Sequence, residues 1–174
     1  MRDVKTILVT GGSGFIGWNF CNLILSNTDY HIINIDNLTY ASKDKVYYIQ
    51  NKKNYKFFKR NICNELGVKE IFNQHKIDAV VHFAAETHVD NSIQQSDKFI
   101  KTNILGTHNL IQICKDQISQ NKLTKDFVFV HISTDEVFGH LNKKTLLLLN
   151  KRNTIQEILI LHQKQQRIIW FDLL

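Results

Sequence analysis

Two adjacent carboxylates, Asp135 and Glu136, follow the strongly apolar segment Phe127–Ser133. That segment is typical of a buried strand, and the carboxyl end of a strand in an open α/β sheet is where ligands bind. Two carboxylates in such a place can divide acid and base work, one donating a proton and the other accepting one. A solvated pair that caps a following helix is the alternative.

A glycine pattern near the N-terminus predicts a site for a dinucleotide. The stretch "TGGSGFIG" places Gly11, Gly14 and Gly17 after a strand pattern and at the start of a helical one. The first glycine allows a tight turn, the second lets the backbone approach a pyrophosphate, and the third allows close packing of the helix. Asp36 ends the next strand about 20 residues on, where a carboxylate accepts ribose hydroxyls and repels a 2′-phosphate. The pattern favours NAD over NADP; a purely structural turn followed by a capping Asp is the alternative.

Strand and helix patterns alternate up to Gly139. The predicted strands are Thr6–Thr10, His31–Asp36, Tyr55–Arg60, Asp78–Ala85 and Phe127–Ser133. Helical patterns separate them, including a long one over about Asp97–Ile118. The alternation predicts an α/β fold, a Rossmann-like doubly wound parallel sheet, here incomplete. From His140 the order is lost, and we expect an irregular or helical C-terminal tail.

Composition narrows the class of protein. The 174 residues are 43% hydrophobic and suffice for one domain. Six of the 22 Lys and Arg residues but only two of the 16 Asp and Glu residues lie after Gly139, so the body is nearly neutral and nucleic acid is not the expected partner. No apolar run approaches the roughly 20 residues of a membrane span. We see no targeting peptide, and Cys21, Cys63 and Cys114 read as buried reduced thiols of a cytoplasmic protein.

Five motifs together carry a family resemblance. They are "LVTGGSGFIGWNF", "INIDNLTYAS", "VVHFAAETHVDNSI", "TNILGTHNL" and "HISTDEVFG". In this order and spacing they resemble the extended short-chain dehydrogenase/reductase superfamily and, within it, the family of dTDP-glucose 4,6-dehydratases. The match covers residues 5–139. It implies an NAD-binding domain over 1–139, followed by an aberrant tail over 140–174.

The resemblance also implies which residues hold NAD. Phe15 and Ile16 belong at the pyrophosphate turn, and Asp36 to Thr39 on the adenosine ribose. The full cofactor set is Gly11, Gly14, Phe15, Ile16, Gly17, Asp36, Asn37, Leu38, Thr39, Asn61, Ile62, Phe83, Ala84, Ala85, Thr87 and Thr102. Asn61 stands where the family has an Asp that accepts from the adenine amino group. Its carbonyl oxygen accepts without charge, so we expect weaker cofactor binding but not its loss.

The implied reaction is the dehydration of a nucleotide sugar such as dTDP-glucose. NAD oxidises C4, water leaves across C5–C6, and the hydride returns to C6. The resemblance assigns Thr134 as a hydrogen-bond donor to the C4 oxygen, Asp135 as general acid and Glu136 as general base. Thr87 and His88 would lie beside the substrate with Thr134. The Asp-Glu pair favours a dehydratase over sibling epimerases or decarboxylases.

No metal is expected. A site built from His82, His88, Asp90 and His131 is conceivable, but alternation along strands would scatter these side chains onto different faces.

The family's Tyr-x-x-x-Lys segment is missing, since the last tyrosine of the chain is Tyr55. When "QEILILHQKQQRIIWFD" is re-read one nucleotide out of frame with free choice of synonymous codons, it can become RNPYSASKAATDHLVR. That resembles the missing segment, with the tyrosine across Leu159 and Ile160. We therefore hypothesise a one-nucleotide shift, by mutation or sequencing error, between about Gly139 and Lys144.

These expectations leave three possibilities open. The first is a truncated dehydratase with little activity, and the second is a sibling enzyme that acts on another nucleotide sugar. The third is a non-catalytic NAD-binding fragment. The intact family is expected to form homodimers through long helices, which is doubtful for this chain alone.

Overall fold

The computed structural model describes residues 5–39, 42, 49, 51–87, 95–123 and 126–134, and the backbone of 168–172. In this part of the chain, six parallel strands form one sheet in the order β3-β2-β1-β4-β5-β6. The strands are β1 (Thr6–Thr10), β2 (His31–Asp36), β3 (Tyr55–Lys59), β4 (Ala79–His82), β5 (Val128–Ser133) and β6 (Ile168–Asp172). The helices are α1 (Phe15–Asn27), α2 (Glu65–Gln74), α3 (Ser96–Phe99) and α4 (Thr107–Ser119). This confirms the predicted Rossmann-like parallel sheet.

Helices cover both faces of the sheet. On one face, α2 and α4 contribute Ile71, Leu110 and Ile113 to a core that includes Leu8 of β1. On the other face, α1 contributes Cys21 and Leu25 to a second core, which includes Val9. All four residues of β4 are buried, as expected for a central parallel strand covered on both sides. None of the described helices has the length and apolar character needed to cross a bilayer.

Strand order reverses between β1 and β4. Thr10 at the end of β1 pairs with Ile35 of β2 on one side and with His82 of β4 on the other. The carboxyl ends of these three strands therefore meet at one place on the sheet edge. In doubly wound sheets this reversal opens a crevice, which is where ligands bind.

The long predicted helix over about Asp97–Ile118 is present but not uniform. Between α3 and α4, the segment Ile100–Gly106 has the wider turns of a π-helix. Gly106 is buried there, and a side chain on it would meet Ile62 Cδ1 at 2.7 Å. Wide helical turns of this kind often occur at functional sites.

Two expectations differ from the structure. The tail was expected to be irregular or helical, whereas Ile168–Asp172 forms β6 and pairs in parallel with β5. Pairing with this segment completes backbone hydrogen bonds along an edge of β5 that would otherwise be open. Of the three cysteines expected to be buried, Cys63 is exposed, while Cys21 and Cys114 are buried; all three are free thiols.

A buried histidine ties together the strands beneath the reversal point. His82 Nδ1 lies 2.6 Å from Thr10 Oγ1, and His82 Nε2 lies 2.9 Å from Thr107 Oγ1 at the start of α4. The ring of His131 is 5.0 Å from that of His82, so the expectation that alternation separates these side chains was wrong for this pair. With both nitrogens of His82 hydrogen-bonded, its role is to join β1, β4 and α4.

The His82 network makes stability depend on pH. Burial, and then the charge of His131, lowers the pKa of His82 to about 3, whereas an unfolded histidine titrates near about 6.5. Because only the unfolded chain takes up this proton between these values, stability is lost as pH falls below about 6.5, by up to ~1.4 kcal/mol per pH unit. Urea unfolding from pH 4.5 to 7.5 should show a slope steeper by about one proton in wild type than in His82→Gln. His31→Gln, which replaces an exposed ring, is the control, and equal slopes for wild type and His82→Gln would contradict the assignment.

Candidate functional site

A cleft lies at the sheet edge where the strand order reverses. It borders the ends of β1, β2 and β4 and the π-helical segment. Its lining residues are Gly11, Gly14, Ile35, Asp36, Asn37, Thr39, Ser42, Arg60, Asn61, Ile62, Phe83, Ala84, Ala85, Glu86 and Thr102. Most of the predicted cofactor residues are therefore brought together. Phe15, Ile16, Gly17, Leu38 and Thr87 are not among the lining residues.

The glycine-rich loop is fixed to β2 by three successive amides. Gly11 N donates to Ile35 O at 2.8 Å, Gly12 N to Asn34 Oδ1 at 3.0 Å, and Ser13 N to Asp36 Oδ2 at 2.9 Å. These amides point into the protein, so they are not donors to a ligand in the cleft. In helices generally, the N–H groups of the first turn are the ones that can bind an anion, and the first turn of α1 follows the loop directly.

Gly11 and Gly17 are required because a side chain on either would collide with backbone atoms. Gly11 has φ +71°, and a side chain there would meet Ala84 N at 2.6 Å, which agrees with the predicted tight turn. A Cβ on Gly17 would collide with the carbonyl oxygen of Gly11. This glycine therefore lets α1 pack closely against the loop itself. A Cβ on Gly14 would meet only Gly11 O at an ordinary 3.4 Å.

Asp36 joins the loop to the chain that follows β2. Besides the Ser13 amide, its carboxylate accepts from Leu38 N at 2.8 Å and from Ser42 Oγ at 3.3 Å. Leu38 has φ +53°, a strained conformation for a side-chain-bearing residue. The Asp36 hydrogen bond holds this turn beside the cleft.

Two ionisable side chains near Asp36, Cys21 and Tyr55, are largely removed from water. Burial raises the pKa of Cys21 to about 12, and the negative charge of Asp36 adds to the shift. Burial also raises the pKa of Tyr55, whose hydroxyl accepts from Asn34 Nδ2 at 2.8 Å. Both groups therefore stay neutral.

Asparagine side chains connect the segments that form the far wall of the cleft. Asn61 Oδ1 accepts from Cys63 N at 2.9 Å, and Asn109 Nδ2 donates to Ile62 O at 2.6 Å. The carboxamide of Asn103 exchanges two hydrogen bonds with the backbone of Glu86, at 2.8 and 2.9 Å. The π-helical segment therefore positions the chain that follows β4.

The predicted substrate and catalytic residues are only partly described. Thr134 is exposed and follows β5 directly at the same sheet edge, and Thr87 is exposed beyond the end of β4. Asp135, Glu136 and His88 lie outside the described residues.

The sequence interpretation missed several residues at the cleft. Arg60, Glu86, Ile35 and Ser42 line it, and Asn34 and Asn103 support it. A signal was present for these four lining residues, since Ile35, Ser42 and Glu86 lie within quoted motifs and Arg60 directly precedes Asn61. For Asn34 and Asn103 the function depends on partners distant in the chain.

The fold and the cleft together define a nucleotide-binding α/β protein of the Rossmann type. A family model described as GDP-mannose 4,6 dehydratase matches residues 8–147. The chain belongs to this family.

Individual relatives are more narrowly named. The dTDP-glucose 4,6-dehydratase of Haemophilus influenzae is 44% identical over 143 residues, which are 80% of this chain and 42% of that protein. The dTDP-glucose 4,6-dehydratase 1 of Escherichia coli K12 is 44% identical over 138 residues, 78% of this chain and 38% of that protein. The chain thus spans about two fifths of the length of these relatives.

Solved structures show the same fold. The dTDP-glucose 4,6-dehydratase of Bacillus anthracis in complex with NAD has a TM-score of 0.77 at 31% identity and covers 97% of this chain and 54% of its own. The UDP-Glc/GlcNAc 4-epimerase of Campylobacter jejuni has a TM-score of 0.80 at 27% identity, with coverage of 97% and 53%. The fold is therefore shared by dehydratases and epimerases.

The two glycines on either side of the α1 start should respond differently to alanine. Gly17→Ala forces a side chain against backbone and should destabilise the protein by about 1–3 kcal/mol. Gly14→Ala, with φ −70° and only an ordinary contact with Gly11 O, should change the free energy of unfolding by less than about 0.5 kcal/mol. Urea denaturation of both variants measures this, and equal losses would contradict the packing described.

Proposed function

We propose that the chain is the NAD-binding part of a nucleotide-sugar 4,6-dehydratase with dTDP-glucose as the substrate. The observation that carries the proposal is the cleft at the strand-order reversal, which combines the glycine-rich loop with the carboxylate of Asp36. Thr134 and the Asp135-Glu136 sequence follow the neighbouring strand β5. The 44% identity to proteins named dTDP-glucose 4,6-dehydratase supports the substrate.

The residues present fit a dinucleotide. Gly14 leaves its side of the cleft open, and the first turn of α1 supplies N–H groups for a pyrophosphate. A carboxylate has about four acceptor positions, of which Asp36 uses three. Binding of both ribose hydroxyls would therefore displace the longest of these bonds, from Ser42. When bound, NAD would supply reversible oxidation at the sugar C4.

The substrate chemistry falls to the residues after β5 and β4. In this proposal Thr134 donates a hydrogen bond to the C4 oxygen, Asp135 protonates the leaving hydroxyl, and Glu136 takes the C5 proton. Thr87 and His88 would contact the sugar and its pyrophosphate. Placement of Thr134 at the carboxyl edge, beside the cleft rather than on the opposite edge, supports these roles.

A non-catalytic NAD-binding role is the second candidate, because no tyrosine follows Tyr55. In the family a tyrosine takes the C4 hydroxyl proton, and a lysine lowers its pKa. We propose that residues 140–174 are read out of frame and that this removed the pair. The family match ends at residue 147, shortly after the proposed shift between Gly139 and Lys144, which supports the proposal. A sibling epimerase shares the fold, but the Asp135-Glu136 pair argues against that activity.

We also propose that the intact protein is a cytoplasmic homodimer, as expected for the family. Ile100, Ile104 and Leu105 are large apolar side chains about half exposed on the helical stretch that follows β4. We propose that these side chains contribute to the homodimer interface of the intact protein. Light scattering should then show a lower molar mass for Ile104→Glu than for wild type, because the dimer is lost. Three free thiols agree with a cytoplasmic location.

The reading-frame proposal predicts a gain of activity. The purified chain should form no measurable 4-keto-6-deoxy sugar from dTDP-glucose, because its tyrosine base is missing. A protein expressed from the source gene after correcting one nucleotide between codons 139 and 144, with the restored frame read to its own stop codon, should convert dTDP-glucose. In that protein Glu136→Gln should lower the rate by about 10²–10⁴-fold, as measured by mass spectrometry of the product. Turnover by the uncorrected chain at the rate of the corrected one would contradict the proposal.

The Asn61 position predicts a tunable affinity for NAD. Asn61→Asp keeps an oxygen for the Cys63 amide and offers a charged acceptor to the adenine amino group. Because hydrogen bonds to charged groups are stronger by about 1 kcal/mol, affinity should rise by roughly fivefold in calorimetric titration. Asn64→Asp makes the same change at the α2 N-cap, where Asp also caps Gly67 N. Equal affinities of wild type and Asn61→Asp would refute an adenine contact.

A further inference from the structure

One polar side chain lies in the otherwise apolar middle of β2. Asn34 is fully buried, and its neighbours Ile33 and Ile35 belong to the core on the opposite face. Its Oδ1 accepts from Gly12 N at 3.0 Å. Its Nδ2 donates to Ser13 Oγ at 3.1 Å and to Tyr55 OH at 2.8 Å. Three of the four hydrogen bonds available to a carboxamide are therefore made.

We propose that Asn34 is a positioning residue that holds the glycine-rich loop in the shape that receives the diphosphate of a nucleotide. Asn34 touches no ligand itself. Its proposed role rests on the proposed function, in which the nucleotide is NAD. Its effect is specific to the diphosphate portion, because it fixes Gly12 and Ser13, which lead directly into the first turn of α1. The adenosine portion is held elsewhere, at Asp36 and the chain that follows it.

The packing around Asn34 supports this role. A side chain on Gly12 would collide with Asn34 Oδ1, so the loop and the carboxamide occupy fitted positions. Tyr55, the first residue of β3, is buried behind the carboxamide and fixes its orientation through the hydroxyl. The link therefore runs from β3 through β2 to the loop, and it aligns the start of α1 before any ligand arrives. Such preorganisation favours binding because the loop need not be ordered at that moment.

Asp36 alone does not provide this alignment. Its carboxylate holds Ser13 N but also the turn at Leu38 and Ser42. Loss of Asn34 would leave Asp36 with the adenosine side intact and would release Gly12. Asn34 thus shapes the part of the cleft for the diphosphate, and Asp36 the part for the nucleoside.

Calorimetric titration with ADP and with adenosine tests the inference. Asn34→Leu, which is nearly isosteric, should weaken ADP binding by about tenfold or more, and adenosine binding by less than about threefold. Asn54→Leu is the matched control, since Asn54 donates to Tyr30 O near the opposite sheet edge. It should leave the ratio of the two affinities as in wild type. If Asn34→Leu does not fold, Asn34→Ser removes the reach to Gly12 while leaving polar space, and the same change in ratio is expected.

Amide hydrogen exchange supplies the independent readout. The Gly12 amide should be protected in wild type and in Asn54→Leu but exchange rapidly in the Asn34 variant, whereas the Ser13 amide, held by Asp36, should stay protected in all three. An unchanged affinity ratio, or Gly12 protection that survives the substitution, would overturn the inference while NAD binding stands. A wild-type protein that binds neither ADP nor NAD would overturn the proposed function, and with it the diphosphate role of Asn34.

Discussion

The hydrogen bonds from Gly11, Gly12 and Ser13 to β2 are the constraint on which the site depends. Buried backbone donors must find partners, and here Ile35 O, Asn34 Oδ1 and Asp36 Oδ2 provide them. These bonds also fix where the first turn of α1 begins, directly after Gly14. The same bonds hold the carboxylate of Asp36 at the cleft. Loop, helix and carboxylate are therefore one rigid unit at the reversal of strand order.

Most of this fold could be predicted because its strands are short β-rich runs separated by helical periods. The described strands agree with the predicted ones closely in their starts, while β4 ends at His82 rather than Ala85. The π-helical segment could not be predicted, because its residues have helical composition and its geometry accompanies the packing of Gly106 on Ile62. Pairing of β6 with β5 is a tertiary contact that local pattern does not encode.

The candidate site was predictable where a motif carries it. The glycines and Asp36 lie at fixed spacing with a strand before them and a helix between them, so their positions at one sheet edge follow from topology. Asn34 and Asn103 lacked such a signal, since an asparagine in a strand or helix reads as a surface residue until its partner is known. For Asn103 that partner is Glu86, 17 residues away. Arg60 likewise enters the cleft through the pairing of β3 with β2.

If the cleft binds NAD through Asp36, the protein should distinguish NAD⁺ from NADP⁺. Comparing its affinities for these two dinucleotides is the most direct test. Asp36 repels a 2′-phosphate, whereas Arg60, which also lines the cleft, would attract one, so the measurement weighs these two charges. Calorimetric titration of the purified chain should show NAD⁺ binding tighter than NADP⁺ by about tenfold or more, equivalent to ~1.4 kcal/mol. Equal or tighter binding of NADP⁺, or no binding of either, would contradict the account.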